Sequence, residues 1–174
     1  MYSIVLRQQK AAPEALKGYP AWMARLLCAR GVETREEAEA FLHPNREQIL
    51  SPFLLPDMEK ARNILWNAVQ GKKKIVIYGD YDCDGVCASA ILFETLQGMG
   101  AKVSCYIPDR HKEGYGLNEE AVRHLAKEND VLLTVDCGIT SVQEVALAKE
   151  LGLIVIVTDH HTVGDFMPPA DAVV

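Results

Sequence analysis

Short apolar runs that alternate with helical segments constrain the fold of this chain more than any other feature of its sequence. From residue 57 onwards, runs such as KIVIYG (residues 74–79) and VLLTVD (residues 131–136) contain mainly β-branched and other apolar residues. Continuous apolar runs of this length are typical of strands that are covered on both faces. The strands are predicted at residues 74–79, 102–108, 131–136 and 153–159, and a further strand begins in ADAVV at residues 170–174.

Helical segments lie between these runs and carry their own start residues. Residues 86–98 are apolar on almost every face, which predicts a buried helix, and Asn118 is the expected cap of the next helix. Ser141 and Glu144 predict a capping box at the start of another. Because strands alternate with helices, the sequence predicts an α/β fold with a doubly wound, mainly parallel sheet.

The first 55 residues have a different pattern, which predicts a small helical N-terminal segment. Apolar residues recur at helical spacing in residues 19–31, and Thr34 with Glu37 forms the capping box expected of a second helix. A linker with two prolines, SPFLLPD, follows. The predicted domains are a helical segment at residues 1–55 and an α/β domain at residues 56–174.

The composition fits a globular protein of the cytoplasm. The chain of 174 residues is 49% hydrophobic and 24% charged. No apolar run approaches the about 18–20 residues of a membrane-spanning helix, so no membrane partner is expected. Five cysteines without a C-x-x-C pair indicate free thiols in a reducing compartment. The net charge of −6 argues only weakly against nucleic-acid binding, because a cluster of metal-binding carboxylates lowers the charge by itself.

Acidic and imidazole side chains follow three of the predicted strands. These residues are Asp80, Asp82, Asp84, Asp136, Asp159, His160 and His161. In an open parallel sheet, the carboxyl ends of the strands form the binding crevice. Carboxylates together with imidazoles suit divalent metal ions, and two ions about 3.5–4 Å apart clamp a phosphoryl group. The sequence therefore predicts a metal site for phosphoryl chemistry at this edge of the sheet.

Two other motifs overlap the first acidic cluster. The pattern D-x-D-x-D-G from Asp80 to Gly85 is the opening of a calcium loop, but such loops need a bidentate Glu at the twelfth position, where this chain has Ile91. The second motif is DCDGV at residues 82–86, which looks like the start of an aspartyl-phosphate phosphatase. In such an enzyme Asp82 would be the nucleophile. It leaves Asp136 and the two histidines without a role.

Three motifs together resemble those of the DHH phosphoesterase superfamily. They are GDYDCDG, TVDCGIT and VTDHH, which lie at strand ends in the order typical of that superfamily. Within it, IPDRHKEGYGLN at residues 107–118 is similar to a segment of the single-strand-specific 5′→3′ exonucleases. The resemblance covers most of the chain. It implies phosphodiester hydrolysis on single-stranded DNA, in DNA repair and recombination, with two Mn²⁺ or Mg²⁺ ions.

The resemblance also implies a role for each matched residue. The implied metal ligands are Asp80, Asp82, Asp84, Asp136 and His160. His161 is the implied contact to the substrate phosphate, and Asp159 is a carboxylate that orients a neighbouring imidazole. Many members have a histidine four residues before Asp82, where this chain has Tyr78. The first ion then either lacks one ligand or takes Asp80 instead.

Two residues of the 107–118 segment are candidate nucleic-acid contacts. The guanidinium of Arg110 suits phosphate oxygens, and the alternative is an ion pair in an exposed loop. The ring of Tyr115 either stacks on a base or packs the loop.

The exonucleases of this superfamily are longer than the present chain. The resemblance implies a further metal-binding aspartate, a second domain and a nucleic-acid-binding module beyond Val174, so we interpret the chain as an N-terminal fragment that is inactive in isolation. The expected partners are single-stranded DNA and those C-terminal domains. The alternatives are another DHH hydrolase, such as an oligoribonuclease or a cyclic-dinucleotide phosphodiesterase, and a catalytically silent DHH scaffold.

Overall fold

The structure, a computed structural model, describes residues 14–174. Contacts divide the chain into two compact units, one that ends at Ser51 and one that spans Pro52–Val174. Residues 1–13 of the predicted helical segment lie outside the described residues. Within residues 14–174, no helix combines the length and the apolar character that a bilayer crossing requires.

The described part of the first unit is helical, as predicted. Its α-helices are α1 (Ala21–Ala29) and α2 (Arg35–Leu42), with short 3-10 turns at Glu14–Leu16 and Arg46–Gln48. The predicted capping box of α2 is confirmed, because the Thr34 hydroxyl accepts from the Glu37 N–H and the Glu37 carboxylate accepts from the Thr34 N–H. A small apolar core joins the helices of this unit.

The second unit is an α/β domain whose five strands are all parallel. Its elements in chain order are α3 (Met58–Gln70), β1 (Lys74–Gly79), α4 (Cys83–Gly98), β2 (Lys102–Tyr106), α5 (Glu119–Leu125), β3 (Val131–Val135), α6 (Val142–Glu150), β4 (Ile154–Thr158) and β5 (Ala172–Val173). The strand order is β2-β1-β3-β4-β5. The chain leaves β1 towards one edge of the sheet and later continues towards the other, so the sheet is doubly wound as predicted.

Helices cover both faces of the sheet, which explains the continuous apolar strands. Ile75 and Ile77 of β1 pack with α3 and α4 in one core. Val76 and Tyr78, which alternate with them, pack with α5 and α6 in the other. Each fully buried aliphatic side chain contributes about 1.5–3 kcal/mol to folding, so the two cores stabilise the sheet from both sides.

Three local predictions differ from the structure. Helix α4 begins at Cys83 rather than at residue 86, because the Asp82 carboxylate caps it by accepting from the N–H groups of Asp84 and Gly85. The predicted capping box of α6 is wrong, because the Ser141 side chain makes no capping hydrogen bond. The segment SPFLLPD contains a 3-10 turn at Pro52–Leu54.

Two glycines allow helix α4 to start directly against the end of β1. A Cβ on Gly85 would lie 2.5 Å from the carbonyl oxygen of Asp80 and 2.6 Å from its nitrogen. A Cβ on Gly79 would lie 2.1 Å from the Ser89 hydroxyl oxygen. Both distances are far inside van der Waals contact, so the turn between β1 and α4 has no space for a side chain at either position.

We predict that Gly85→Ala lowers the free energy of unfolding by about 1–3 kcal/mol, because the added methyl group meets backbone atoms that cannot rotate away. Gly98→Ala is the matched control at the other end of α4, where a Cβ meets nothing within 4 Å. It should leave the free energy unchanged or raise it by up to about 1 kcal/mol. Chemical denaturation of both variants measures the difference, and equal stability of the two would contradict the packing described here.

Candidate metal centre

The strand order places the ends of β1 and β3 side by side, at the point where the winding of the sheet reverses. Asp80 follows β1 and Asp136 follows β3, and these two strands are hydrogen-bonded neighbours. Strand β4 lies next to β3 and is followed by Asp159 and His160. The acids and imidazoles of three strands therefore meet at one edge.

The first group of possible ligands is Asp80, Asp82 and Asp136, whose carboxylate oxygens lie within 4.8 Å of one another. Asp80 is only 3% exposed and Asp136 only 8%. One buried oxygen on each, Oδ1 of Asp80 and Oδ2 of Asp136, has no hydrogen-bond partner within the described residues. Buried carboxylates without a compensating partner are costly, and a cation between them removes that cost.

The second group is Asp136, His160 and His161, whose ligand atoms also lie within 4.8 Å of one another. His160 Nε2 lies 2.9 Å from Asp136 Oδ1, and the two imidazole ring centroids are 4.6 Å apart. Asp136 thus belongs to both groups. A carboxylate shared in this way can bridge two cations.

Asp136 is held in a strained and poorly solvated position. Its φ of 60° lies in the left-handed region, which few residues other than glycine adopt. Burial raises the pKa of Asp136, the hydrogen bond to His160 opposes this shift, and the charge of Asp82 adds to it. Strain and desolvation at one residue are typical of a functional position.

Asp82 and Asp84 occupy different places although they are two residues apart. The N–H groups of Gly85 and Asp84 donate to Asp82 and lower its pKa, so that Asp82 is a carboxylate. Asp84 lies in the first turn of α4 and belongs to neither ligand group. It lines a cavity of about 650 Å³ beside the centre, together with Asp136, Asp159 and His160.

Asp159 anchors the imidazole of His161. The Asp159 side chain is 1% exposed, and its carboxylate accepts from the backbone N–H groups of Ile139 and His161. Burial opposes ionisation of Asp159, but these hydrogen bonds outweigh it and lower the pKa. His161 Nδ1 lies 2.7 Å from Asp159 Oδ1, and this contact raises the pKa of His161. The structure thus places Asp159 where the sequence analysis expects a carboxylate that orients an imidazole.

Tyr115 reaches the same histidine from the loop between β2 and α5. Its hydroxyl lies 3.2 Å from His161 Nδ1, and the two rings meet edge to face with centroids 5.7 Å apart. Burial and the charge of Asp159 raise the pKa of Tyr115 to about 12, so its hydroxyl is neutral. The ring is still 51% exposed.

Arg110 is exposed, whereas Tyr78 is buried in the core. The Arg110 guanidinium lies over the ring of Tyr81, 5.2 Å from its centroid, and is exposed to solvent at the same edge of the molecule as the acidic turn. Tyr78 is fully buried on the face of α5 and α6, and its hydroxyl donates to the Gly116 carbonyl oxygen. Asp80, and not Tyr78, belongs to a ligand group.

Glu113 is a residue of this region that the sequence analysis missed. Its carboxylate accepts from the Tyr106 hydroxyl, the Asp109 N–H and the Asn118 side chain. It therefore ties the loop that carries Arg110 and Tyr115 to the end of β2 and to the start of α5. A lone glutamate in a charged loop gives no sequence pattern for such a role.

Comparison with known proteins places this centre in a family. The sequence profile of the DHH family, N-terminal domain, matches residues 74–174, which include every residue of both ligand groups. The chain belongs to the DHH family.

Individual relatives are single-stranded-DNA-specific RecJ exonucleases. That of Bacillus subtilis is 45% identical over 153 residues, a match that covers 87% of this chain and 20% of the relative. That of Thermus thermophilus is 42% identical over 140 residues, which covers 77% of this chain and 21% of the relative. A crystal structure of exonuclease RecJ bound to manganese is similar with a TM-score of 0.67 and 44% identity, over 72% of this chain and 32% of that one. The chain thus spans about a fifth of the length of each of these two curated relatives.

The hydrogen bonds of Glu113 predict a pH-dependent stability. The bonds from Tyr106 and Asp109 lower the pKa of Glu113 in the folded protein. A carboxyl group with a lowered folded-state pKa contributes stability above its unfolded-state pKa and loses that contribution as the pH falls through the folded-state value. Glu113→Gln should therefore be about 0.5–1.5 kcal/mol less stable than the unchanged chain at neutral pH. The difference should vanish in acid.

Urea unfolding of both proteins between neutral pH and pH values below the lowered pKa measures this difference. Glu128→Gln removes an exposed carboxylate near the opposite ends of the strands and serves as the control. A stability difference for Glu113→Gln that stays constant with pH would show that the charge of Glu113 does not hold the loop.

Proposed function

We propose that this chain carries the metal centre of a phosphodiesterase that binds two divalent ions, Mn²⁺ or Mg²⁺, and degrades single-stranded DNA from its 5′ end. The observation that carries the proposal is the pair of ligand groups that share Asp136. A carboxylate that belongs to both groups would help to hold two ions close together, and two neighbouring ions can clamp a phosphoryl group. The names of the RecJ relatives, single-stranded-DNA-specific exonucleases, support the choice of substrate.

The residues present fit such ions. Asp80 Oδ1 and Asp136 Oδ2 are buried oxygen donors that have no hydrogen-bond partner in the described residues. The first group supplies only oxygen ligands, which suit Mg²⁺ and Mn²⁺, and the second adds imidazole nitrogens, which favour Mn²⁺ over Mg²⁺. We propose Asp80, Asp82 and Asp136 for one ion, Asp136 and His160 for the other, and the exposed Asp84 as a further ligand.

The chain's own groups suggest how a substrate is held. Ions in the centre supply Lewis acidity towards a phosphodiester and acidify water. Asp159 holds the His161 ring by its Nδ1 atom, and we propose that Nε2, which lies 3.4 Å from the Tyr115 hydroxyl, contacts a phosphate oxygen. The contact with Asp159 raises the pKa of His161 and so favours a protonated ring, which attracts an anion. We propose Arg110 as a second phosphate contact and the exposed ring of Tyr115 as a surface for a base.

We also propose a process, a compartment and partners for the reaction. An enzyme that removes nucleotides from single strands acts where duplex DNA has been opened, and we propose a role in DNA repair and recombination in the cytoplasm. As partners we propose single-stranded DNA and the additional polypeptide by which the RecJ relatives are longer than this chain. The centre lies on an open edge, with 70% of the His160 side chain exposed. We therefore expect the 174-residue chain to bind ions without degrading DNA, because a centre this exposed positions a strand poorly.

Asp136→Asn should weaken Mn²⁺ binding at least tenfold, about 1.4 kcal/mol or more, because it removes the negative charge that both ion sites share. Isothermal titration of the 174-residue chain with Mn²⁺ measures the affinity. A thermal unfolding series checks the same property, since Mn²⁺ at a hundred times its dissociation constant stabilises the folded chain by about 2.7 kcal/mol. Glu128→Gln is the control. Equal Mn²⁺ affinities of the Asp136→Asn and Glu128→Gln variants would show that Asp136 is not a metal ligand.

A polypeptide that contains this chain and has the length of the RecJ relatives should degrade single-stranded DNA from the 5′ end and leave a blunt duplex largely intact. The physical reason is access, because a crevice at the edge of a sheet admits one flexible strand more readily than a stiff duplex. Oligonucleotides labelled at the 5′ or the 3′ end are incubated with the protein and Mn²⁺. The order in which the two labels are released shows from which end the strand is degraded. Early release of 3′-terminal nucleotides would contradict the direction, and rapid digestion by the 174-residue chain alone would contradict the expectation that this chain is inactive by itself.

A further inference from the structure

Strand β2 forms one edge of the sheet, and this edge is open. Within residues 14–174, β1 is the only strand that pairs with β2. Lys102, Ser104 and Cys105 of β2 are exposed. The strand contains no proline, and its register with β1 is continuous. An edge of this kind presents backbone N–H and C=O groups with which a further strand can pair.

Four lysines gather where β1 and β2 begin, at the end of the sheet opposite the metal centre. Lys74 and Lys102 start the two strands and are partners in the register, and Lys72 and Lys73 directly precede β1. All four are exposed, and none forms an ion pair with another described residue. Because the chain as a whole carries a net charge of −6, this local positive charge does not follow from the composition.

A cavity of about 350 Å³ lies beside Lys74 and Lys102. Val103 packs against the core on one face of the sheet and Leu125 against the core on the other face, and both line the cavity. The cavity therefore adjoins the edge of the sheet. We call this cavity, together with the four lysines, the β2 groove.

We propose that the β2 groove binds an acidic peptide segment of a partner protein, which adds a strand to the sheet beside β2. Main-chain hydrogen bonds to an open edge supply affinity in this mode of recognition, and pockets for side chains supply specificity. Lys74 and Lys102 attract the carboxylates of such a segment, while Val103 and Leu125 offer contacts to an apolar side chain. The site does not depend on the proposed nuclease function.

A nucleic acid fits the β2 groove less well than a peptide. Surfaces for single strands combine a positive track with aromatic rings on which bases stack. The lining of the groove contains no aromatic side chain, and Glu128 adds a negative charge to it. Lysine on an edge strand also protects against aggregation. That role does not account for Lys72 and Lys73, which lie before the strand.

Fluorescence anisotropy with labelled synthetic peptides tests the binding of an acidic segment to the 174-residue chain. The peptides DDEVTVTV and VTVTVEDD carry their acidic residues at opposite ends, because β2 can accept a strand in either direction. EDTA is present, so that no metal ion links a peptide to the carboxylate centre. We expect saturable binding of at least one of the two peptides and none of KKKVTVTV. Binding of neither acidic peptide would overturn the proposal.

Charge reversal locates the binding site. Lys74→Glu and Lys102→Glu should each lower the affinity for the acidic peptide at least about tenfold, because attraction is replaced by repulsion. Lys112→Glu makes the same change of charge in the loop between β2 and α5 and should leave the affinity nearly unchanged. Equal effects of all three substitutions would show that the attraction is not local, which contradicts the proposal.

These variants should keep the fold, which circular dichroism checks. The three lysine side chains are exposed. The Lys74 N–H donates to the Asp130 carboxylate, and this backbone contact does not depend on the side chain at position 74.

Pairing with the backbone of β2 is tested in the peptide, so that the protein stays unchanged. Successive residues of a strand direct their N–H groups to opposite edges, and N-methylation removes the donor. Two versions of the binding peptide are N-methylated, one at its odd-numbered and one at its even-numbered residues. We expect one version to lose affinity at least about tenfold and the other to retain it. Loss in both versions, or in neither, would contradict strand addition.

Competition with single-stranded DNA separates the two classes of partner. Unlabelled oligo(dT), added in EDTA at physiological salt, should not displace the acidic peptide from the 174-residue chain. Displacement would make the β2 groove a nucleic-acid surface and would overturn the proposal.

Discussion

Helix α4 begins where strand β1 ends, and the rest of the centre depends on the backbone contact between them. Gly85 lies directly against the main chain of Asp80, with no space for a Cβ atom. Asp82 can then cap the helix while its carboxylate stays near Asp80. A longer turn would separate these two acids, and the first ligand group would lose its geometry. The close contact of Gly85 thus determines the positions of Asp80 and Asp82, two of the three carboxylates of the first ligand group.

This arrangement leaves buried carboxylate oxygens without hydrogen-bond partners in the described residues, which costs folding free energy. Asp80 and Asp136 are buried with one unpartnered oxygen each, and Asp136 adopts a left-handed backbone conformation. Strain and desolvation of this kind persist only where the surrounding structure holds them in place. The two apolar cores on either side of the sheet provide that support. A cation that enters the centre offsets the repulsion, so ion binding and folding stability are linked.

A second layer of contacts fixes the groups that we propose contact a substrate. Asp159 holds His161 through its ring and its backbone, and the Tyr115 hydroxyl meets the same ring from another element. Glu113 holds the loop of Tyr115 by three hydrogen bonds. Preorganised groups need little rearrangement when a phosphate binds, which is the main physical advantage of such contacts.

The sequence by itself determined the α/β class, the parallel strands and the residues that gather at the strand ends. It could do so because the periodicity of apolar residues, the capping residues and the short acidic motifs are local properties of the chain. It did not determine the α6 cap, since the Ser141 side chain makes no capping hydrogen bond. Only the tertiary structure decided that Asp136 is shared by two ligand groups and that Glu113 ties the loop. Those features depend on which strands become neighbours, and strand order is a property of the packed sheet rather than of any segment.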